Sequence, residues 1–203
     1  SLAWRISGES FMENVNFIND FKLRSSWGQS GNQPDGKYLY FNRYESKSDM
    51  SYMDMMGVRP AGLELTSLRW EPIEQTNLGL DLMVYNGRIN LIFDYYVKKT
   101  LDLYLQDTEI PTTSGFSKLN INDGEMQNRG VELSIDYAIV RVTDFQFDIN
   151  FNAAKNENVV VRLPENYSIE TGNVLNNGEY LMKVQPGDPL GGFYGYNYLG
   201  VYS

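Results

Sequence analysis

Residues 76–97 read TNLGLDLMVYNGRINLIFDYYV and predict a long β-hairpin, around which the rest of the chain is arranged. Asn86 and Gly87 suit a two-residue type I′ turn, because both central residues of that turn need positive φ and these residue types adopt it readily. Such a turn pairs Val84 with Ile89. The same register then pairs Leu82 with Leu91, Leu80 with Phe93 and Leu78 with Tyr95.

The two faces of this hairpin differ in polarity. Side chains alternate along a strand, so all four pairs lie on one apolar face. A register slip of one residue would mix apolar and polar side chains, so the turn and the hydrophobic pattern predict the same register. Whether protein or lipid covers the apolar face therefore decides the function. The opposite face carries Asn77, Gly79, Asp81, Asn90, Asp94 and Tyr96.

A second hairpin is predicted over residues 130–153, where apolar and polar residues again alternate. A three-residue turn at Arg141–Thr143 would join its two strands. The apolar sets of the two strands then meet on one face. The expected pairs are Ile139 with Phe145, Tyr137 with Phe147, Ile135 with Ile149 and Leu133 with Phe151. Further alternating stretches predict strands at 2–6, 21–29 and Phe193–Tyr202.

The connections between these strands alternate between tight turns and long loops. The tight ones lie at 86–87 and 141–143, and the long ones cover 30–66, 106–128 and 156–192. Short turns at one end and long loops at the other are typical of an outer-membrane barrel, whereas a soluble sandwich has turns of more even length. About 9–11 tilted residues cross a bilayer as a β-strand. The pattern predicts lipid on the apolar face and a wet lumen on the polar face.

Composition excludes several classes of function. The net charge of -9 argues against a nucleic-acid partner and against docking onto anionic lipid headgroups. The chain has neither His nor Cys, so it holds no Ser-His or Cys-His nucleophile and no thiolate chemistry. We expect no catalytic residue, no cofactor and no metal site. Residues 120–125, NINDGE, fail the spacing of a calcium loop and are interpreted as a turn.

Six segments of the chain carry a family resemblance. Together they are similar to the SusC/RagA family of TonB-dependent outer-membrane transporters, and they occur in the order of that family. The segments are LAWRISGESFM (2–12), FKLRSSWGQSGNQ (21–33), LRWEPIEQTNLGLDL (68–82), RINLIFDYYVKKTLDLYL (88–105), PTTSGFSKLNINDGEMQNRGVELSIDY (111–137) and GDPLGGFYGYNYLGVY (187–202).

The resemblance implies an all-β fold, an antiparallel transmembrane β-barrel of 22 strands in the cell outer membrane. Residues 1–203 would be part of the barrel domain and supply about seven of its strands, with long extracellular loops and short periplasmic turns. No plug domain and no TonB-engaging segment is recognised in this chain. The implied partners are a SusD-like surface lipoprotein, the TonB complex and outer-membrane lipid. The implied ligand is a glycan, with oligopeptides as the alternative.

Tyrosines in two regions are the candidate ligand-binding residues. A tyrosine ring offers flat apolar area and a hydroxyl group, which suits sugars or extended peptides. Packing against a plug or neighbouring loops is the alternative explanation for the same residues. The candidates are Tyr38, Tyr40 and Tyr44 in the first long loop and Tyr194, Tyr196 and Tyr198 on one face of the predicted last strand.

Two other functions stay open from the sequence. A soluble carbohydrate-binding β-sandwich would also show alternating strands with an apolar face. A β-rich glycoside hydrolase would use paired carboxylates. The carboxylates of this chain, such as Asp81, Asp136 and Asp148, instead alternate along strand faces, as they would in a solvated lumen.

Overall fold

The computed structural model describes residues 1–53, 55–164, 181–194 and 197–201. Within them strands dominate, and helix is limited to short 3-10 turns at Ile6–Gly8, Ser10–Met12 and Thr112–Ser114. The strands are β1 Leu2–Arg5, β2 Ile18–Asn32, β3 Tyr44–Tyr52, β4 Met55–Pro60, β5 Glu71–Val84, β6 Ile89–Leu101, β7 Tyr104–Glu109, β8 Lys118–Asn122, β9 Glu125–Val142, β10 Phe145–Arg162, β11 Leu181–Lys183 and β12 Gly192–Tyr194.

Six strands, all long except β1, form one open antiparallel sheet in the order β1-β2-β5-β6-β9-β10. Its first pair, β1 and β2, places Trp4 opposite Leu23 and Leu2 opposite Ser25. In the described residues, β1 and β10 each have one edge without a neighbouring strand. The all-β prediction is therefore confirmed, and the sheet is one that does not close on itself.

Three small antiparallel hairpins occupy the regions predicted as long loops. They pair β3 with β4, β7 with β8 and β11 with β12. The first was missed in the sequence because Tyr, Met and Val lie on both of its faces and hide the alternation. Exposed apolar side chains of β3, β4 and the turn between them include Tyr44, Tyr52, Met53, Met55, Met56 and Val58.

The turn of the central hairpin is confirmed. Asn86 and Gly87 both have positive φ, and the Arg88 N–H donates to the Tyr85 carbonyl at 3.2 Å. Tyr85 also adopts positive φ, so strand pairing ends at Val84 and Ile89. The register agrees with the predicted pairs, because a Cβ built on Gly79 would lie 2.5 Å from Asp94 Oδ1.

The predicted turn at Arg141–Thr143 is wrong in position. Strand β9 continues through Val142 and β10 begins at Phe145. Cross-strand contacts fall two positions further along β10 than expected, as in the pairs Arg129–Glu157 and Asn128–Asn158. Because side chains alternate with a period of two, this shift keeps both apolar sets on the same face.

The predicted strand Phe193–Tyr202 is confirmed only at Phe193 and Tyr194, which pair with β11, and it is wrong over residues 197–201. Strand β12 ends at Tyr194, and residues 197–201 have no regular secondary structure. Residues 195, 196 and 202 lie outside the described residues. Alternation of Tyr with Gly, Asn and Leu imitates a strand in the sequence, but residues 197–201 have no partner strand.

The chain divides into two compact units. The sheet unit comprises Ser1–Ser30, Ile73–Lys99 and Gln127–Asn158, and it holds the two tight turns. The loop unit comprises Gly31–Pro72, Thr100–Met126 and Val159–Ser203, and it holds the three small hairpins.

Candidate functional site

The apolar face of the sheet unit is uncovered. Leu78, Ile149 and Phe151 are each about half exposed, at 49%, 47% and 53%. Among the described residues of the whole chain, the buried apolar side chains are Val84, Ala138 and Val160 alone. A soluble domain of this length would bury many more such side chains, so the face requires a partner outside the described residues.

Charged residues bracket this face at a regular distance. On β6 and on β10, ten residues lie between the two flanking charged residues, and on β9 eleven residues lie between them. Five apolar side chains point from each strand onto the face between its brackets, and the strand length matches the 9–11 residues that cross a bilayer. The brackets are Arg88 and Lys99 for β6, Arg129 and Arg141 for β9, and Asp144 and Lys155 for β10.

The polar face of the sheet unit holds an ionic cluster that links three strands. Arg24 of β2 donates from Nε to Asp81 Oδ1 and from Nη2 to Asp94 Oδ1, both at 2.9 Å. Lys22 Nζ lies 3.6 Å from Asp81 Oδ2. The guanidinium passes over Gly79, where a Cβ would come within 2.6 Å of Arg24 Cζ. A glycine here therefore makes room for the cation between the two carboxylates.

Further polar contacts cross the same face. Asn77 Nδ2 donates to Ser26 Oγ at 3.0 Å. Tyr96 lies over Gly130, where a Cβ would come within 2.7 Å of its ring. The expected polar set of the central hairpin is thus confirmed as one surface of amides, carboxylates and a phenol. Such a surface is compatible with contact to water. It offers hydrogen-bond donors and acceptors, and its charges are of both signs.

The loop unit gathers three aromatic rings in its first loop. The ring centroids of Tyr40 and Phe41 lie 4.3 Å apart, and those of Tyr38 and Phe41 lie 5.8 Å apart. All three side chains are at least half exposed. Gly36 and Tyr38 both have positive φ, which bends the loop so that Tyr38 and Phe41 meet. The cluster offers a solvent-facing aromatic surface of the kind that stacks on a ligand ring.

An open cleft of about 220 Å³ adjoins this cluster in the loop unit. Phe41 and Leu39 form one wall, and residues of β8 form another. Arg43, Lys118 and Asn120 add polar groups to its lining. Aromatic and aliphatic walls with a few polar groups are typical of a small ligand site.

The structure brings together only part of the predicted tyrosine set. Tyr44 begins β3 opposite Pro60 and is exposed. Tyr198 is 80% exposed in the segment without regular structure. Tyr194 ends β12, and Tyr196 lies outside the described residues. A tyrosine stripe on one strand face is therefore not formed in the described part, and the binding role of all six residues stays a prediction.

Sequence reasoning missed a side-chain clamp in the loop unit. Asn122 Oδ1 accepts from the Arg69 N–H at 2.9 Å, while its Nδ2 donates to the Arg69 and Asp102 carbonyls at 2.9 and 3.0 Å. Glu71 accepts from the Tyr104 N–H at 2.7 Å. The turn predicted over 120–125 is confined to Asp123-Gly124, because β8 runs through Asn122 and β9 already begins at Glu125. Its Asn-Asp-Gly composition indicated the turn but not these distant partners.

Two features are absent from the described residues. No group of three or more His, Cys, Asp or Glu side chains is arranged to hold a metal ion. None of the helices described is long and apolar enough to span a membrane.

Comparisons with known proteins agree with this geometry. The sequence is 37% identical over 202 residues to the TonB-dependent receptor P39 of Formosa agariphila, covering 100% of this chain and 18% of the relative. It is 32% identical over 192 residues to the TonB-dependent receptor SusC of Bacteroides thetaiotaomicron, covering 88% of this chain and 19% of the relative. The chain spans about a fifth of the length of these relatives.

A solved structure shares the fold. A chain of the RagAB peptide transporter superposes with a TM-score of 0.72 at 26% identity, covering 93% of this chain and 20% of that one. The model of the family described as TonB dependent receptor-like, beta-barrel matches residues 1–203. The chain therefore belongs to the TonB-dependent receptor β-barrel family.

Proposed function

We propose that the chain forms part of the wall of an outer-membrane importer of the SusC/RagA type. The observation that carries the proposal is the uncovered apolar face of the sheet unit. On each of three strands, charged residues flank a stretch of ten or eleven residues on this face. Lipid fits this face because each strand presents apolar side chains over one bilayer-crossing length. The polar face, with its Arg24 cluster, would then line the wet interior of the barrel.

A soluble β-sandwich fits these observations less well. A sandwich covers its apolar face with a second sheet. The described residues of the sheet unit form a single sheet, and side chains such as Ile149 and Phe151 stay about half exposed. A glycosidase is also less favoured, because the relatives that the chain resembles are named as TonB-dependent receptors.

For the ligand we propose a glycan, captured at the aromatic cluster of Tyr38, Tyr40 and Phe41. Its exposed rings suit the apolar faces of sugar units, and the adjoining cleft supplies polar groups. An oligopeptide is the second candidate, favoured by the likeness to the RagAB peptide transporter. A SusD-like lipoprotein would assist capture, and the TonB complex would supply the energy for import.

Membrane extraction tests the first part of the proposal. The intact protein that contains this chain should sediment with the outer-membrane fraction and leave it only when detergent is added. Release by salt or alkaline washing alone would contradict the barrel assignment, because lipid would then not cover the apolar face.

Uptake experiments test the second part. Cells carrying the intact protein are supplied with fluorescent oligosaccharides or fluorescent oligopeptides of similar mass, each compared with a deletion strain. If the deletion strain loses uptake of the oligosaccharides but not of the oligopeptides, the result supports the glycan assignment. Loss confined to the peptides would replace it with the second candidate and leave the importer proposal standing.

A further inference from the structure

A band of charged side chains lies on the apolar-face side of the sheet unit, at the end remote from the tight turns. Five residues of four neighbouring strands form this band, which we name the collar. Within it, Arg129 Nη2 pairs with Glu157 Oε2 at 2.9 Å, and Glu74 accepts from Gln29 at 2.7 Å. The collar thus has one more cation than carboxylates. Its members are Glu74, Lys99, Arg129, Lys155 and Glu157.

The register places the three cations next to one another. The Ala138 N–H donates to the Arg88 carbonyl at 2.8 Å, and Tyr96 lies over Gly130, so Arg129 of β9 stands opposite Val97 of β6. Lys99 is therefore the diagonal neighbour of Arg129, at a Cβ distance of about 7–8 Å.

Lys155 occupies the other side of Arg129. It lies two residues before Glu157 on β10, so it shares the face of the Arg129–Glu157 pair and is again a diagonal neighbour of Arg129. Lys99 and Lys155 are exposed, and neither forms an ion pair with another side chain in the part of the chain that the structure describes. Two long ammonium groups thus flank the guanidinium diagonally, Lys99 two residues further from the tight turns and Lys155 two residues nearer to them.

We propose that Lys99, Arg129 and Lys155 bind the phosphate group of a membrane lipid. The proposal rests on the proposed function, because it needs lipid against the apolar face. On each of the three strands the next residue on this face toward the tight turns is apolar, namely Val97, Val131 and Ala153. Acyl chains packed on these side chains bring a headgroup close to the three cations, and flexible lysine side chains reach out to headgroups at such boundaries.

The acidity of the whole chain does not oppose this local site. Charges separated by more than a Debye length, about 8–10 Å in physiological salt, are largely screened, so a phosphate responds mainly to the collar itself. Of the two collar carboxylates, Glu157 is paired with Arg129 and Glu74 is bonded to Gln29. The proposal therefore departs from the expectation that the net charge gave against docking onto anionic lipid headgroups, because net charge does not report local charge.

Lipid binding by the intact protein tests the proposal. The purified protein in detergent is titrated with lipid A that carries its phosphates, with dephosphorylated lipid A and with inorganic phosphate, and bound species are counted by native mass spectrometry. The double variant Lys99→Gln/Lys155→Gln keeps the Arg129–Glu157 pair. We expect it to bind phosphorylated lipid A roughly 25-fold more weakly, since each lysine near anionic lipid contributes about fivefold.

The variant Lys98→Gln is the matched control. Lys98 is the chain neighbour of Lys99 but lies on the polar face, so its loss should leave lipid binding unchanged. Equal binding by wild type and the double variant, or equal binding of dephosphorylated lipid A, would overturn the proposal. Full competition by inorganic phosphate would assign the site to a free anion instead. Either failure leaves membrane extraction unaffected, whereas release without detergent would remove the proposed function as well.

Discussion

The two faces of the sheet unit are formed by the same strands, but one is apolar and the other is polar. On one face, residues such as Phe93 and Ile149 remain uncovered and form no polar contact network. On the other face, Arg24 links Asp81 and Asp94 across three strands. Neighbouring residues of one strand lie on different faces. The same substitution at two adjacent positions should therefore place the new side chain in two different environments. The contrast teaches that position relative to the sheet, more than residue type, sets the cost of a charge.

The largest effect is expected for a charge placed at the centre of the apolar face. Ile135 lies midway between Arg129 and Arg141 of β9. Ile135→Arg should reduce the free energy of unfolding of the intact protein by about 2–4 kcal/mol, which is the cost of an arginine at the bilayer midplane. Ser134→Arg, one residue away on the polar face, should cost much less. Denaturant titration in lipid vesicles measures both, and equal losses would mean that the faces are misassigned.

A smaller effect is expected from breaking the ionic cluster on the polar face. Arg24→Ala leaves Asp94 without its cation and Asp81 with Lys22 alone, and it should cost about 1–3 kcal/mol, as for hydrogen bonds to charged groups. Arg5→Ala is the control, because its pair with Asp20 is more exposed and should contribute below about 1 kcal/mol. Adding Asp94→Asn to Arg24→Ala should recover part of the loss. A cost no larger than that of the control would show that the cluster is not coupled.

In the loop unit, the Asn122 clamp provides the next test. Asn122→Ala removes one acceptor and two donors and should cost about 1–2 kcal/mol locally. The Arg69 amide should then exchange its hydrogen faster, as seen by mass spectrometry. Asn122→Asp keeps the acceptor for that amide and should protect it better than Ala does. Unchanged exchange in both variants would mean that the clamp does not hold the loop.

The smallest effect on stability is expected at the aromatic cluster. Tyr38→Ala/Tyr40→Ala should change the free energy of unfolding by less than about 0.5 kcal/mol per residue, since both side chains are exposed. Oligosaccharide uptake should nevertheless fall severalfold, because stacked rings contribute about 0.5–1.5 kcal/mol each. Tyr52→Ala, an exposed tyrosine of the β3–β4 hairpin, is the control. Normal uptake by the double variant would leave loop packing as the explanation of the cluster.

The strands could be predicted because their signals are local. Alternation along β5, β6, β9 and β10 and the Asn86-Gly87 turn follow from side-chain geometry and allowed φ values. The turn after β9 was misplaced, because Arg141 and Val142 carry no turn signal and the strand simply continues. The strand predicted over Phe193–Tyr202 failed for a related reason, since alternation does not guarantee a partner strand.

The sequence by itself determined which residues share each face of the sheet, because a period of two follows from strand geometry alone. It also determined the family, through six ordered segments. Only the tertiary structure decided which distant groups meet: Arg24 with two carboxylates over Gly79, and Asn122 with the backbone of Arg69. These contacts join residues more than fifty positions apart, and no local pattern encodes them, because they depend on strand order and register across the whole sheet or loop.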